Sequence, residues 1–338
     1  MQVVVFGAGA VGSVLGSMLS VNHHDVLLVG RPPLARAVEE NGLRLKSATG
    51  EYVAHPRVVT ALARGDVAAD ACILLTVKRY DVEAAIATLS GIVPVDMPVV
   101  CFQNGVGAEA IAAGTFTRVY GGVVRMTCSM LQPGNASFRG MGRVIVGVHP
   151  KGSDAFSRAL ALAFRGAGFD AASSRTIESD IWLKLALNTQ TVLHAATDPR
   201  DHDSNEFQEL SAAILEETRR VFKAAKIRAR SCDGRDPTID EMIAELRRPR
   251  ARRAEHGVKV HNSLWQDLYL KRPHIESEYI HEPVIALGRE HGVPTPFNAA
   301  MLETARRLHD SGTGPEKLRL TELLEAVARR PSRSGEEP

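Results

Sequence analysis

Runs of consecutive apolar residues alternate with helix-period segments through the first half of the chain. Residues 3–6, 26–29, 71–77 and 98–102 are apolar at nearly every position, the pattern of strands buried on both faces of a parallel sheet. Segments 118–124 and 143–148 read as further strands. After about residue 175 the pattern changes. Segments 181–196, 206–226, 239–247 and 283–291 carry helical spacing, and no convincing strand follows. The chain is therefore expected to be α/β, with a Rossmann-type N-terminal domain over 1–172 and an all-helical C-terminal domain over 173–326. A tail over 327–338 has too little apolar content to pack and is expected to be disordered.

The length of 338 residues suits two domains. With 44% apolar and 5% aromatic residues the composition is that of a globular protein, and 41 Lys plus Arg against 39 Asp plus Glu leave no global field for nucleic acid or an anionic membrane. A small metabolite is the expected partner. The basic run at 247–253 lacks interleaved aromatics and reads as a solvated connection. No apolar stretch reaches the roughly 20 residues that cross a bilayer, and no signal peptide precedes the first strand. Cys72, Cys101, Cys128 and Cys232 are scattered without metal or disulfide spacing and read as buried thiols of a reducing compartment. The histidines are dispersed, so no metal is expected. A cytoplasmic location follows.

The first strand passes directly into Gly7-Ala8-Gly9-Ala10-Val11-Gly12 and then a helix. That order is the phosphate-binding turn of a dinucleotide fold: Gly7 permits the tight turn, Gly9 lets bare backbone approach a pyrophosphate, and Gly12 lets the helix pack on the strand. An ordinary glycine turn is the competing reading. At the end of the second strand, where an NAD site places a carboxylate, this chain has Arg31. A guanidinium can grip a 2′-phosphate, so NADP(H) is the expected cofactor.

Lys78 follows the third strand and Gln103-Asn104-Gly105 the fourth, at the carboxyl edge where open α/β sheets bind ligands. Lys184 and Asn188 lie four apart, on one face of a largely apolar helix. In a cleft such a lysine becomes a proton donor near neutral pH; on a surface it only reaches for water.

With Thr76-Val77-Lys78, Gln103 to Gly107, Lys184 to Asn188, Asn262 to Leu268, Arg272 to Glu276 and Gly288 to Pro296, the chain resembles the ketopantoate reductase (2-dehydropantoate 2-reductase) family over nearly its whole length. The resemblance implies that Arg31 and Lys78 hold the adenosine-side phosphate and that Asn104 lies where nicotinamide and substrate meet. It further implies that Lys184 is the general acid, that Asn188, Ser263 and Glu276 bind or orient the substrate, and that the helical domain forms a homodimer. The implied reaction is NADPH-dependent reduction of a small 2-oxo acid, 2-dehydropantoate to (R)-pantoate, on the way to coenzyme A. Domain closure would suit such an enzyme.

The departures are Val192 and Val260 where asparagines are usual, His281-Glu282-Pro283 in place of Asn-Gly, and one extra residue between Gln266 and Glu276. Glu278 is the alternative carboxylate. If Val192 and Val260 line the substrate cleft, recognition of a substrate hydroxyl is thinned. A paralogue acting on another 2-oxo acid or ketone, or a non-catalytic NADPH-binding regulator, then become the alternatives.

Overall fold

A computed structural model describes residues 1–48, 50–248 and 260–328. These form two compact units: residues 1–103 and 107–181 with 260–261, and residues 104–106, 182–248 and 262–328. The first unit holds strands β1 (Val3–Phe6), β2 (Val26–Val29), β3 (Leu43–Ser47), β4 (Gly50–Ala54), β5 (Arg57–Val59), β6 (Cys72–Leu75), β7 (Val99–Cys101), β8 (Val119–Arg125), β9 (Cys128–Gln132), β10 (Asn135–Phe138), β11 (Arg143–Val148) and β12 (Asp170–Ser174). Its helices are α1 (Ala10–Val21), α2 (Pro32–Asn41), α3 (Val82–Ser90), α4 (Ala108–Ala113) and α5 (Ala155–Gly166).

Eight strands form one sheet in the order β12-β11-β8-β7-β6-β1-β2-β5, parallel except for the β8/β11 pair. Alternate side chains divide its core between two faces. Val3, Val5, Leu28 and Leu74 pack with α1 and α5, whereas Val4, Leu27, Ile73 and Leu75 pack with α3 and α4. From β1 the chain runs to β2 on one side and returns to β6 on the other. The adjoining carboxyl ends of β1 and β6 are thus the switch point at which such sheets bind ligands.

A second sheet, β4-β3-β10-β9, went unread in the sequence. Leu43, Leu45, Ala136 and Phe138 from it share a core cluster with Val14, Leu15 and Met18 of α1. This covers the outer side of α1, which explains why eight of its residues in a row, Gly12 to Leu19, are buried. β5 and β12 also lay outside the sequence reading. Cys72, Cys101 and Cys128 are buried, and burial pushes the Cys72 thiol up to about 12 and Cys101 well up, which keeps both unreactive. Cys232 is only half-buried, against expectation, because it lies in the loop after the helix Asn205–Ala224.

The second unit is helical: α6 (Ile177–Asn188, which begins in the first unit), α7 (Thr191–Ala196), α8 (Asn205–Ala224), α9 (Ile239–Leu246), α10 (Ser263–Tyr269), α11 (Ser277–Glu290), α12 (Pro296–Ser311) and α13 (Leu320–Ala328). The single helix expected over 181–196 is broken. Within Asn188-Thr189-Gln190-Thr191, the Thr189 hydroxyl donates to the Ala186 carbonyl at 2.6 Å and the Thr191 hydroxyl to the Asn188 carbonyl at 2.5 Å. These side chains compete for the carbonyls a continuing helix would use. α11 starts six residues before the expected Pro283 and contains it.

The break corrects the reading of Val192. It is 1% exposed and packs with Leu193, Phe207, Leu264 and Ile275 in the helical core, so it does not line a cleft. An asparagine there would be placed among apolar neighbours. Val260 is also buried, at 8%. Of the basic run, Arg247 pairs with Glu209 and Glu216 and Arg248 with Glu245, while 249–253 lie outside the described residues. Of the expected tail, Val327 packs on the helical core as part of α13, and 329–338 lie outside the described residues. Among the described residues no helix is long and apolar enough to cross a membrane.

Candidate functional site

In the first unit the glycine turn is built from three different constraints. Gly7 takes φ +104°, and a Cβ there would lie 2.6 Å from the Val77 nitrogen and Cγ1. A Cβ on Gly12 would lie 2.4 Å from the Thr76 hydroxyl and 2.8 Å from the Gly7 carbonyl. Both positions exclude any side chain. At Gly9, in contrast, a Cβ would meet only the Gly7 carbonyl, at 4.0 Å, so this backbone faces open space. Gly9 caps α1, whose first turn holds no acidic residue. The amides of Ala10, Val11 and Gly12, which have no acceptor within the helix, and the helix dipole together make an anion cradle.

Neighbouring strand ends lock the turn. The Gly7 and Ala8 amides donate to the Val29 carbonyl at 3.2 and 2.9 Å. Two residues beyond that carbonyl stands Arg31, exposed, with extended backbone at the start of α2. From β6, the Thr76 amide donates to the Phe6 carbonyl at 2.9 Å and its hydroxyl to the Gly7 carbonyl at 2.8 Å. Thr76 thereby sets the turn, a role the sequence reading did not assign. Lys78 follows two residues later and is half-buried. The Gln103 amide, also unassigned before, donates to the Leu75 and Val77 carbonyls at 2.8 and 3.1 Å and so fixes the chain between β6 and Lys78. A pyrophosphate with an attached ribose fits what these residues offer: open backbone at Gly9, unpaired helix amides, and a cation at the end of β2.

The second unit gathers the other candidates. Lys184 and Asn188 are half-buried on α6, one turn apart. The Asn188 side-chain amide donates to Oδ1 of Asn104 at 3.4 Å. Asn104 is further placed by Gly105, whose φ is +85° and where a Cβ would lie 2.4 Å from the Tyr279 carbonyl of α11. Pro283 has no N–H to offer that carbonyl. Ser263 opens α10, whose cap Asn262 donates to the Thr191 carbonyl at 3.2 Å.

Glu276 and Glu278 differ sharply. Glu276 sits at the start of α11 and is 4% exposed. Glu278 is exposed and pairs with Arg306 at 2.8 Å. A carboxylate as buried as Glu276 requires polar partners.

Beside these residues, His281 turns inward from α11 and is fully buried. Its Nδ1 lies 2.9 Å from Oδ1 of Asn298. Asn298 in turn donates its side-chain amide to Glu217 at 2.8 Å, and that carboxylate also accepts the Phe297 and Asn298 backbone amides at 2.9 and 2.7 Å. Glu217 therefore caps α12, although burial raises its pKa. Burial lowers His281 to about 4, so the ring is neutral at pH 7, with its proton on Nδ1. Among the described residues no cluster of His, Cys, Asp and Glu is placed to hold a metal ion.

Two family profiles match this chain: that described as ketopantoate reductase PanE/ApbA over residues 3–151, and its C-terminal counterpart over 176–309. The chain belongs to the ketopantoate reductase family. The 2-dehydropantoate 2-reductase of Archaeoglobus fulgidus is 28% identical, with 90% of this chain and 97% of the relative aligned. That of Pyrococcus horikoshii is 29% identical over 56% of this chain, a match spanning only 61% of that protein. Among solved structures, 2-dehydropantoate 2-reductase from Methylococcus capsulatus superposes with a TM-score of 0.73 at 25% identity, covering 93% of this chain and 98% of that one. D-mandelate dehydrogenase, solved with NADH and anilino(oxo)acetate, shares the fold with a TM-score of 0.74 at 23% identity, covering 93% and 100%.

Proposed function

We propose that this protein is a cytoplasmic NADPH-dependent reductase of a small 2-oxo acid, converting 2-dehydropantoate to (R)-pantoate, and that it works as a homodimer through its helical unit. The observation that carries this reading is the grouping in the second unit of a half-buried lysine with two asparagine amides, Lys184 and Asn188 on one helix face and Asn104 hydrogen-bonded to Asn188. Gly7 to Gly12, Arg31 and Lys78 would hold the cofactor, with Asn104 at its nicotinamide end. Bound there, reduced nicotinamide supplies the hydride.

The remaining chemistry belongs to the chain. As the substrate's ketone oxygen takes on negative charge, Lys184 Nζ stabilises it and donates the proton. Asn104, Asn188 and Ser263 offer hydrogen bonds to the carboxylate and hydroxyl of the substrate. Glu276 fixes a substrate hydroxyl and favours the charged lysine. Its burial supports it over Glu278, which is occupied by Arg306. The second reading, a reductase for another 2-oxo acid, rests on the departures from the family pattern at Val260 and at His281-Glu282-Pro283; Val192, held in the helical core, does not bear on it. NADPH oxidation measured over a panel of 2-oxo acids decides between them; no turnover with any of them would leave only a binding protein.

Two substitutions test the cofactor assignment. Arg31→Asp is expected to weaken NADPH binding by about 1.5–3 kcal/mol and NADH binding far less, because it removes a charge-assisted contact to the 2′-phosphate. Fluorescence titration with both cofactors measures this, and equal losses would remove Arg31 from that role. Gly12→Val forces a side chain into the Thr76 hydroxyl and Gly7 carbonyl. It is expected to lower stability by about 1–3 kcal/mol and to abolish measurable binding of either cofactor. A variant that titrates normally would show that the turn does not hold the pyrophosphate.

A further inference from the structure

Asn262 uses both ends of its amide. Its Oδ1 accepts the Trp265 backbone N–H at 2.8 Å and so caps α10, while its Nδ2 donates to the Thr191 carbonyl at 3.2 Å. The orientation is determined, since a flipped amide would set donor against donor at Trp265 and acceptor against acceptor at Thr191. Thr191 passes the link on, its hydroxyl donating to the Asn188 carbonyl at 2.5 Å, and the Asn188 side chain donates to Asn104 at 3.4 Å. One continuous polar chain, Asn262-Thr191-Asn188-Asn104, therefore joins the start of α10 to the end of α6 and to the turn after β7. Ser263, Asn188 and Asn104, the three uncharged side chains assigned to the substrate, all stand on this chain or next to it in sequence.

We infer that Asn262 is a positioning residue for substrate recognition. It acts through its neighbours and not by touching the substrate. It holds the first turn of α10 against the α6–α7 junction, so that the Ser263 hydroxyl and the Asn188 amide keep one spacing. The capping bond alone would not do this, because it lies wholly within α10; the bond to Thr191 is the one that reaches another element. The helix break at Thr189 and Gln190 matters here too, because α7 begins at Thr191 and its carbonyl is met by a side chain from α10.

The inference rests on the proposed reductase activity and is tested with Asn262→Ser in the full-length protein. A serine hydroxyl keeps the acceptor for the Trp265 amide but is too short to carry the amide's second bond to Thr191. The expected result is a thermal midpoint close to wild type, an unchanged KM for NADPH, and a KM for the 2-oxo acid raised about tenfold or more, as loss of substrate alignment entails. Asn262→Asp, which sets a carboxylate against the Thr191 carbonyl, is expected to raise that KM further. A wild-type KM for the 2-oxo acid in Asn262→Ser would overturn the inference. So would a fall in thermal midpoint accompanied by a parallel rise in the KM of both substrates, the signature of a cap and nothing more. If the unaltered protein oxidises NADPH with no 2-oxo acid, the activity itself fails. That result is separable from the others because it is read without any variant.

Discussion

Replacing Lys184 with alanine is expected to lower kcat by at least about 100-fold while NADPH affinity stays near the wild-type value. The expectation follows from the proposed division of labour. The phosphate cradle, Arg31 and Lys78 all belong to the first unit, whereas Lys184 lies on the part of α6 that belongs to the second. Removing it leaves the turn at Gly7 to Gly12 untouched and takes away the ammonium that meets the developing alkoxide. Lys184→Arg is also expected to be poor, because a guanidinium keeps the charge but does not release a proton at neutral pH. Steady-state kinetics with the best 2-oxo acid, together with a fluorescence titration of NADPH, measure both halves of the expectation. Undiminished turnover would take Lys184 out of the mechanism, and a large loss of NADPH affinity would move it to the cofactor.

The parts of the fold that were legible in the sequence are those where one pattern has one cause. β1, β2, β6 and β7 are short apolar runs because they are covered on both faces, and they were read as strands for that reason. The four-stranded sheet was not read, although Leu43-Arg44-Leu45-Lys46-Ser47 carries the alternation of a half-buried strand, with burial of Leu43, Leu45 and Ser47. Its strands are short and β3 pairs with β10, some 90 residues later, a contact that no local pattern encodes.

Among the site candidates, Lys184 and Asn188 were legible because helical spacing places them together. Val192 was weighed as a cleft residue because the family usually has an asparagine there, but the hydroxyls of Thr189 and Thr191 end the register of α6 before Val192 is reached, and it packs in the helical core instead. The bond between Asn104 and Asn188, and the buried chain through His281, Asn298 and Glu217, depend on tertiary placement. The only sequence sign of the latter was that His281 and Pro283 stand where the family usually has Asn-Gly. Pro283 was taken as a helix start, yet α11 runs through it, and the close approach of Gly105 to the Tyr279 carbonyl gives that irregularity a place beside Asn104.

That substitution of histidine has a consequence for stability against acid. His281 is fully buried and its pKa falls from 6.5 to about 4, with burial the dominant cause and the bond to Asn298 opposing it. Between those values the unfolded chain holds a proton on this ring that the folded protein does not. Stability therefore rises with pH through this window and is lost as pH falls from 6.5 toward 4. The full swing for such a shift is on the order of 3 kcal/mol. His149 and His202, both lowered chiefly by burial, add slope of the same sign. Glu217, raised by burial, opposes it above its ordinary value of 4.5, since there the folded state is the one that holds the extra proton. The contribution of His281 is isolated by comparison with His281→Asn, which can still donate to Asn298 Oδ1 and does not titrate. Urea unfolding of both proteins at several pH values between 4 and 7 is expected to give curves that converge toward the acid end, the wild type losing more stability than the variant. Parallel curves across that range would mean that the folded ring takes up its second proton, on Nε2, as readily as the unfolded chain does, and so does not stay neutral on burial.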